Sequence, residues 1–453
     1  MTLLPAWVVL AVTIPVAMLL GRLVVTHRML ALLPAAALVA MLLLTSPHAR
    51  VLFIVFGGLL IFQSSEQLDF KKLLFLMGAT VAFAGAFMRS RKLSSTSAYA
   101  DMSPLFYVSF AFVALLLVSL PVAQYYGTPD KAWLRDIAPY MLFACAPLFA
   151  FDAQSAMSTR ALRRLVATAG IAGGAAFALR WIAKRGIASL PWATIGLPTF
   201  LLGAALFAFG MAVVLEGRRG WSRWLVLTSL LLAMLISTGT RSAAVLLVAP
   251  LAIVIGTRER FSRRAIRLAV AIPIAALLAV FGTQSLLKLV HANRGTLASR
   301  AGLVFHTGGS SDRSYLDRVS QTKAAWTLFT DQPLLGAGPG HVIEWRDSFG
   351  RLKADPNVDS PAAYPAKFGL AGLIPLAVLV GAFVSFLRRL RQRAGGRTTA
   401  QLALIGYAAV VAAWFVLGVP FGDKGLSSGF LLLVALAVSE AASAKATETA
   451  APR

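Results

Sequence analysis

Charged side chains are scarce in this chain: Asp, Glu, Lys and Arg make up 13% of its 453 residues, against about 25% in an ordinary soluble domain. Acidic groups are the scarcer sign, 18 against 43 basic ones. The single cysteine, Cys145, excludes a disulfide within the chain and, set in an apolar run, reads as inert packing. His27, His48, His291, His306 and His341 are scattered without an HxxxH pair or any His/Cys/Asp cluster of metal-ligand spacing, so no metal or other cofactor is expected. There is no P-loop and no GxGxxG opening a helix after a strand, which excludes the common nucleotide chemistries. A proton-coupled pump needs a ladder of carboxylates inside its spans. Here only Asp152 and Glu440 come near, both at span ends, where Asp152 is expected to snorkel. The apolar runs are continuous, not alternating, which excludes a β-barrel.

What the chain has is apolar length. Hydrophobic residues make up 58% and the mean hydropathy is +0.76. Runs long enough to cross a bilayer recur at 3–25, 29–45, 51–63, 73–88, 104–124, 137–153, 165–182, 191–215, 224–238, 242–256, 266–283, 365–387, 401–418 and 427–443. The run 51–63 is short and the first three are crowded. The fold class is therefore all-α, a polytopic integral membrane protein of 12–14 transmembrane helices with one large loop. The first run lacks a basic leader and a cleavage site and reads as a retained helix. Basic clusters at 89–92, 160–164, 218–223, 258–267 and 388–397 fall on alternate loops, which are then cytoplasmic, as are both termini. The net charge of +25 is thereby explained by sidedness and anionic lipid, with no nucleic acid partner. The chain then divides into a transmembrane bundle over 1–283, an outward-facing loop over 284–364, transmembrane helices over 365–443 and a cytoplasmic tail over 444–453.

The loop 284–364 is the one long polar stretch, with nearly balanced charge. Leu316, Val319, Trp326 and Phe329 recur at helical spacing, and Pro333 ends the pattern, so an amphipathic helix is predicted over 314–332. A glycine turn comes next, through Gly336, Gly338, Gly340 and His341. Cations gather on the outer side: Arg241 in a short turn between two spans, Arg180, Lys184 and Arg185 after the seventh span, and Arg313 and Arg318 on the loop helix. An outer arginine opposes the usual charge bias and calls for an anion. Guanidinium stays charged and bonds two oxygens at once, so these groups suit a lipid-borne pyrophosphate. Each arginine taken singly is equally well explained by contact with lipid headgroups.

These residues stand in a recognisable order. The turn at 237–243, with Thr238-Gly239-Thr240-Arg241, resembles the T-x-[ST]-R turn of the bacterial O-antigen ligase and O-antigen polymerase family. Arg318 followed by Pro333, Leu334, Gly336 and Gly338 is similar to its R…P-L-x-G-x-G segment. Asp359 and Ser360, then Gly369 and Gly372, are similar to its loop exit. The motifs cover about 224–390, and the resemblance in topology covers the chain. The resemblance implies a metal-independent, inverting glycosyltransferase in the bacterial inner membrane, acting at its periplasmic face. Its donor would be an undecaprenyl diphosphate-linked glycan and its acceptor a sugar hydroxyl, on lipid A-core in a ligase or on a second lipid-linked glycan in a polymerase, with a chain-length regulator as a further partner. It implies that Arg241 and Arg318 hold the diphosphate, with Arg313, Arg180 and Arg185 as helpers, and that Gly336, Gly338, Gly369 and Gly372 shape the loop. The ligase form places a histidine eleven residues before Gly369, where this chain has Val358. The base is then Asp359, one residue along, or His341 or His306 reaching in from the loop, and the departure tilts the reading toward polymerase. A lipid-linked glycan flippase or other transporter would also meet a pyrophosphate, but transporters show repeats and midplane sites that this chain lacks. A scaffold protein, or a transferase acting on protein or peptidoglycan precursors, completes the alternatives.

Overall fold

A computed structural model describes residues 32–61, 68, 70–92, 97–185, 208, 220–237, 313–356, 358, 360–393, 431–432 and 434–439. These residues are mostly helical. In chain order they form α1 (Leu32–Thr45), α2 (Pro47–Leu60), α3 (Phe70–Lys92), α4 (Ser97–Tyr125), α5 (Asp130–Ala144), α6 (Ala146–Ala156), α7 (Thr159–Arg185), α8 (Trp221–Ser237), α9 (Arg313–Asp331), a two-stranded hairpin β1 (Ile343–Arg346) and β2 (Leu352–Asp355), and α10 (Ala363–Arg393).

Three helices are long and apolar enough to cross a membrane, over Phe70–Arg91, Met102–Tyr125 and Ala363–Phe386. Two bent pairs raise the number to five if each is one span. In the first pair α1 and α2 meet at 117° across the single residue Ser46. Ser46 is extended, its side chain accepts from the Ala49 amide, and Pro47 supplies a ready first helical position. The second apolar helix therefore starts at Pro47, ahead of the 51–63 run. In the second pair α5 and α6 bend by 49° at Cys145. Pro147 has no amide for the carbonyl four residues back, which breaks the ladder there.

The break at Ser46 is tied down by Arg50, in the first turn of α2. Its Nη1 donates to the Leu43 and Leu44 carbonyls, 3.0 Å each, capping the end of α1. Its Nε and Nη2 donate to Oδ2 and Oδ1 of Asp152 on α6, both at 2.7 Å. The two side chains are 3% exposed. Asp152 thus does not snorkel; it is half of a bidentate buried pair joining three helices. The pair was missed because a short apolar interval between two spans gives no sign that its arginine folds inward.

Helix ends fall into two sets. Arg50 lies with Asp152, Arg89 Nη2 donates to the Ser155 carbonyl at 3.4 Å, and the Thr159 and Ser439 hydroxyls lie 2.8 Å apart. All of these sit at the end where the basic clusters at 89–92 and 160–164 emerge. The C-terminus of α4, the N-terminus of α5 and the segment 333–367 meet at the other end. Between them the core holds large apolar contacts such as Phe143 against Phe383, 5.1 Å between centroids, and Phe106 edge-on to Phe151.

Removing one side of a buried ion pair strands the other charge and costs about 3–5 kcal/mol. Arg50→Ala and Asp152→Ala should each lower the melting temperature of the detergent-purified protein sharply. The double variant Arg50→Met/Asp152→Leu should recover much of that loss, and equal melting of all four proteins would contradict the pairing.

Candidate functional site

The site is built on α9 and on the chain from Gln332 to the start of α10. Helix α9 runs Arg313–Asp331, where the sequence pattern places a helix at 314–332. One side of it packs Ala325 into a small apolar core with Ile343, Val358, Ala362, Ala363 and Ala366. Four of these six residues are alanine, so α9, β1 and the start of α10 approach closely. The hairpin pairs antiparallel, Ile343 with Asp355 through Arg346 with Leu352. Its turn is held by Asp347, whose Oδ1 accepts from the Phe349 and Arg351 amides at 2.9 Å each. Asp317 on α9 accepts from the Ser348 amide at 2.7 Å and fixes the hairpin to the helix. The hairpin escapes sequence reading because its strands are four residues each; the alternation from Ile343 to Arg346 is the one trace of it.

The glycine motifs interlock. Helix α10 is broken at Gly369, at φ +58° and ψ −164°, a combination open to glycine alone. In an unbroken helix the Leu370 and Ala371 amides would donate to the Ala366 and Lys367 carbonyls. They donate instead to the Pro333 and Leu334 carbonyls, at 2.8 and 2.9 Å. The vacated carbonyls accept from the Ala337 and Gly338 amides, at 2.9 Å each. The turn 333–338 is thus spliced into the helix ladder, and all four backbone pairs are kept. Such closeness leaves no room for a side chain: a Cβ on Gly336, itself at φ +69°, would stand 2.5 Å from the Lys367 carbonyl carbon. One on Gly369 would meet the Leu334 backbone. Gly338 lies against Ala123 of α4, and Gly372 receives the Tyr364 hydroxyl on its carbonyl at 3.1 Å.

The turn continues to Gly340, whose amide donates to Asp136 Oδ2 on α5 at 2.7 Å. The same oxygen accepts from Lys367 Nζ on α10, and Oδ1 accepts from Arg135 Nε and Nη2 at 2.9 and 2.8 Å. Lys367 also donates to the Pro356 carbonyl. Both Asp136 and Lys367 side chains are 7% exposed. Sequence reasoning missed this pair. The available signal was Lys367 itself, a lysine within the predicted span 365–387, which calls for a partner.

Two hollows flank the pair. A cleft of about 820 Å³, lined by both charged and apolar groups, lies between the turn 126–129, the Ser320, Lys323 and Thr327 side of α9, and residues 340–346. His341 lines it, beside Glu344 and Arg346. Burial pushes its pKa below the usual 6.5; the Lys367 charge pushes the same way and Glu344 opposes. On the other side a smaller apolar groove of about 110 Å³ runs between α4 and α10, from Phe112 and Pro375 to Leu335 and Lys367.

The structure thus brings together Gly336, Gly338, Gly369 and Gly372, with His341 beside them in the cleft. Arg318 is exposed in the second turn of α9, two turns before Ala325 and so on the stripe that leads to the loop exit. Arg313 opens α9, and Arg180 and Arg185 lie in the last two turns of α7; of these three the side chains lie outside the described residues. Arg241, His306 and Asp359 also lie outside them. Val358, at the register of the ligase histidine, is fully buried against Ala325 and Ala366.

Residues 226–364 match the O-antigen ligase family. The resemblance read from the motifs therefore holds over this stretch, which takes in the Arg241 turn, α9, the glycine turn and the Asp359-Ser360 half of the loop exit, and ends before Gly369 and Gly372. No curated protein matches the chain. The protein thus combines helices long and apolar enough to cross a membrane with a stretch, under a third of its length, that is similar to the O-antigen ligase family, a family of the membrane glycosyltransferase type.

Replacing Gly369 by alanine puts a side chain in a backbone conformation that costs on the order of 1–3 kcal/mol, before the clash with Leu334 is counted. Gly381→Ala is the control, since a Cβ there meets nothing within 4 Å and the residue is helical. Thermal unfolding in detergent should show Gly369→Ala well below wild type and Gly381→Ala at or slightly above it.

Proposed function

We propose that this chain transfers a glycan from undecaprenyl diphosphate to a sugar hydroxyl at the periplasmic face of the bacterial inner membrane. The proposal is carried by the match of 226–364 to the family together with the place of His341, which lines a cleft at the end of the helices opposite the basic clusters. By the alternation of those clusters, both termini are cytoplasmic and the cleft is periplasmic.

The acceptor oxygen attacks the anomeric carbon from the side opposite the diphosphate. The new C–O bond forms as the bond to the phosphate oxygen breaks, so configuration inverts. The electron pair leaves with the diphosphate, whose growing charge is stabilised by Arg241 and Arg318, with Arg313, Arg180 or Arg185 assisting. The acceptor's proton passes to a base. Among Asp359, His306 and His341, His341 is supported by geometry: it lines the cleft and its burial favours the neutral, proton-accepting imidazole at pH 7. The burial of Val358 in an apolar core supports the polymerase over the ligase form, since the position of the ligase base here serves packing. The acceptor is then a second lipid-linked glycan.

Arg241→Ala and Arg318→Ala should each lower transfer about 100-fold or more at equal protein level, read as loss of long-chain glycan in a strain lacking the native gene. Normal polymer from both variants would sink the clamp. Accumulated single repeats on deletion favour polymerase; free lipid-linked long polymer favours ligase.

Neutral His341 is the active form, so the rate should hold through pH 7 and fall only below about 6.5. That acid limb should vanish in His341→Gln together with most of the activity. A fully active His341→Gln with a dead Asp359→Asn would move the base to Asp359.

A further inference from the structure

Asp136 and Lys367 stand 231 positions apart in the chain and meet in a nearly dry place between α5 and α10. As a mere fastener this pair is a poor choice. Two apolar side chains of the same size would join the helices at least as well, because both charges lose their water. What apolar residues would not do is bind the backbone on either side. Asp136 Oδ2 accepts the Gly340 amide at 2.7 Å, and Lys367 Nζ donates to the Pro356 carbonyl. The first bond anchors the residue just before His341. The second anchors the approach to the loop exit, two residues before Val358. Gly340 itself is wedged against α5, where a Cβ would stand 2.6 Å from the Ala132 carbonyl carbon. The peptide that carries His341 is therefore held against α5 both by a carboxylate and by close contact.

We propose that Asp136 and Lys367 are positioning residues for the transfer reaction: as a pair they clamp the Gly340 amide and the Pro356 carbonyl and so aim His341 into the cleft. This rests on His341 being the base. Neither residue lies in the stretch matched to the family, and neither needs to touch substrate. The pair also fixes the charge around the imidazole. Lys367 faces it from α10 and Asp136, itself bound by Arg135, from α5; Glu344 and Arg346 come from β1, Lys323 and Asp331 from α9, and Tyr126 from the turn before α5. In this ring Lys367 favours the neutral imidazole, so losing its charge raises the pH at which His341 takes up a proton.

The test is a pH–rate profile of the full-length protein in nanodiscs. The donor and acceptor are lipid-linked glycan extracted from the strain that lacks the gene. Lys367→Met should lower kcat at least tenfold, leave the KM for the lipid-linked glycan within about twofold, and move the acid limb up by several tenths of a pH unit. Lys367→Arg keeps the charge and should leave the limb in place. If Lys367→Met does not accumulate, Lys367→Gln, which loses the charge but can still donate to Asp136, takes its place and should show the same upward movement of the limb. A limb that stays at its wild-type pH in the uncharged Lys367 variant overturns the proposal. His341→Gln separates the two failures. If it removes the limb while Lys367→Met leaves it untouched, the base stands and the clamp falls. If it keeps both the limb and the rate, the base assignment itself is wrong.

Discussion

Four backbone hydrogen bonds between the turn 333–338 and the start of α10 hold together the described part of the outer layer. Near a bilayer an amide or carbonyl without a partner is costly, because little water is at hand to replace it. A helix interrupted at Gly369 should therefore be penalised at each freed group. The chain avoids this by threading a second piece of backbone into the gap. Once that piece is fixed, its neighbours have little choice: α9 ends just before it, Gly340 and His341 come just after, and the alanine-rich core beneath α9 closes the remaining space.

The splice explains the composition of the region better than flexibility does. Glycine in a loop is often read as freedom to move. At Gly336 and Gly369 the opposite holds, since each is glycine because other backbone occupies the place of its side chain. The aromatic group behind them has the same effect. Tyr364 stacks on Phe368 at 4.5 Å between centroids, and Tyr140 of α5 packs on both. A rigid seat of this kind suits a reaction in which a weak nucleophile must be held in line with a bond that is about to break.

Much of this was legible in the sequence. Long apolar runs announce spans whatever their neighbours, so α3, α4 and α10 fall within predicted runs or overlap them. The period of Leu316, Val319 and Trp326 is local and lies on α9, but those three side chains are exposed, and the helix packs on the protein through Ala325. The glycine spacing was legible as a motif, though the backbone contact behind it was not. Ion pairs were illegible for a plain reason. Arg50 with Asp152 and Asp136 with Lys367 are joined over 102 and 231 residues, and a single sequence shows that a buried charge needs a partner without saying which. The error over Asp152 came from preferring the nearest solvent to a distant arginine. Of the site residues, the glycines and His341 can be placed together; Arg241, His306 and Asp359 stand in parts of the chain beyond the described residues.

The exchange of hydrogen bonds at Gly369 has a further side. The two donors and two acceptors that α10 lends to the turn are each other's natural mates, one helical turn apart. Were the turn to withdraw, the helix could zip straight through and leave nothing unsatisfied on its own side. A docked turn and a continuous α10 are thus mutually exclusive states: the first has four bonds between helix and turn, the second two within the helix, with four groups of the turn left to find other partners. The turn's own need for those four partners favours the docked state, and the Asp136–Lys367 contact adds to it.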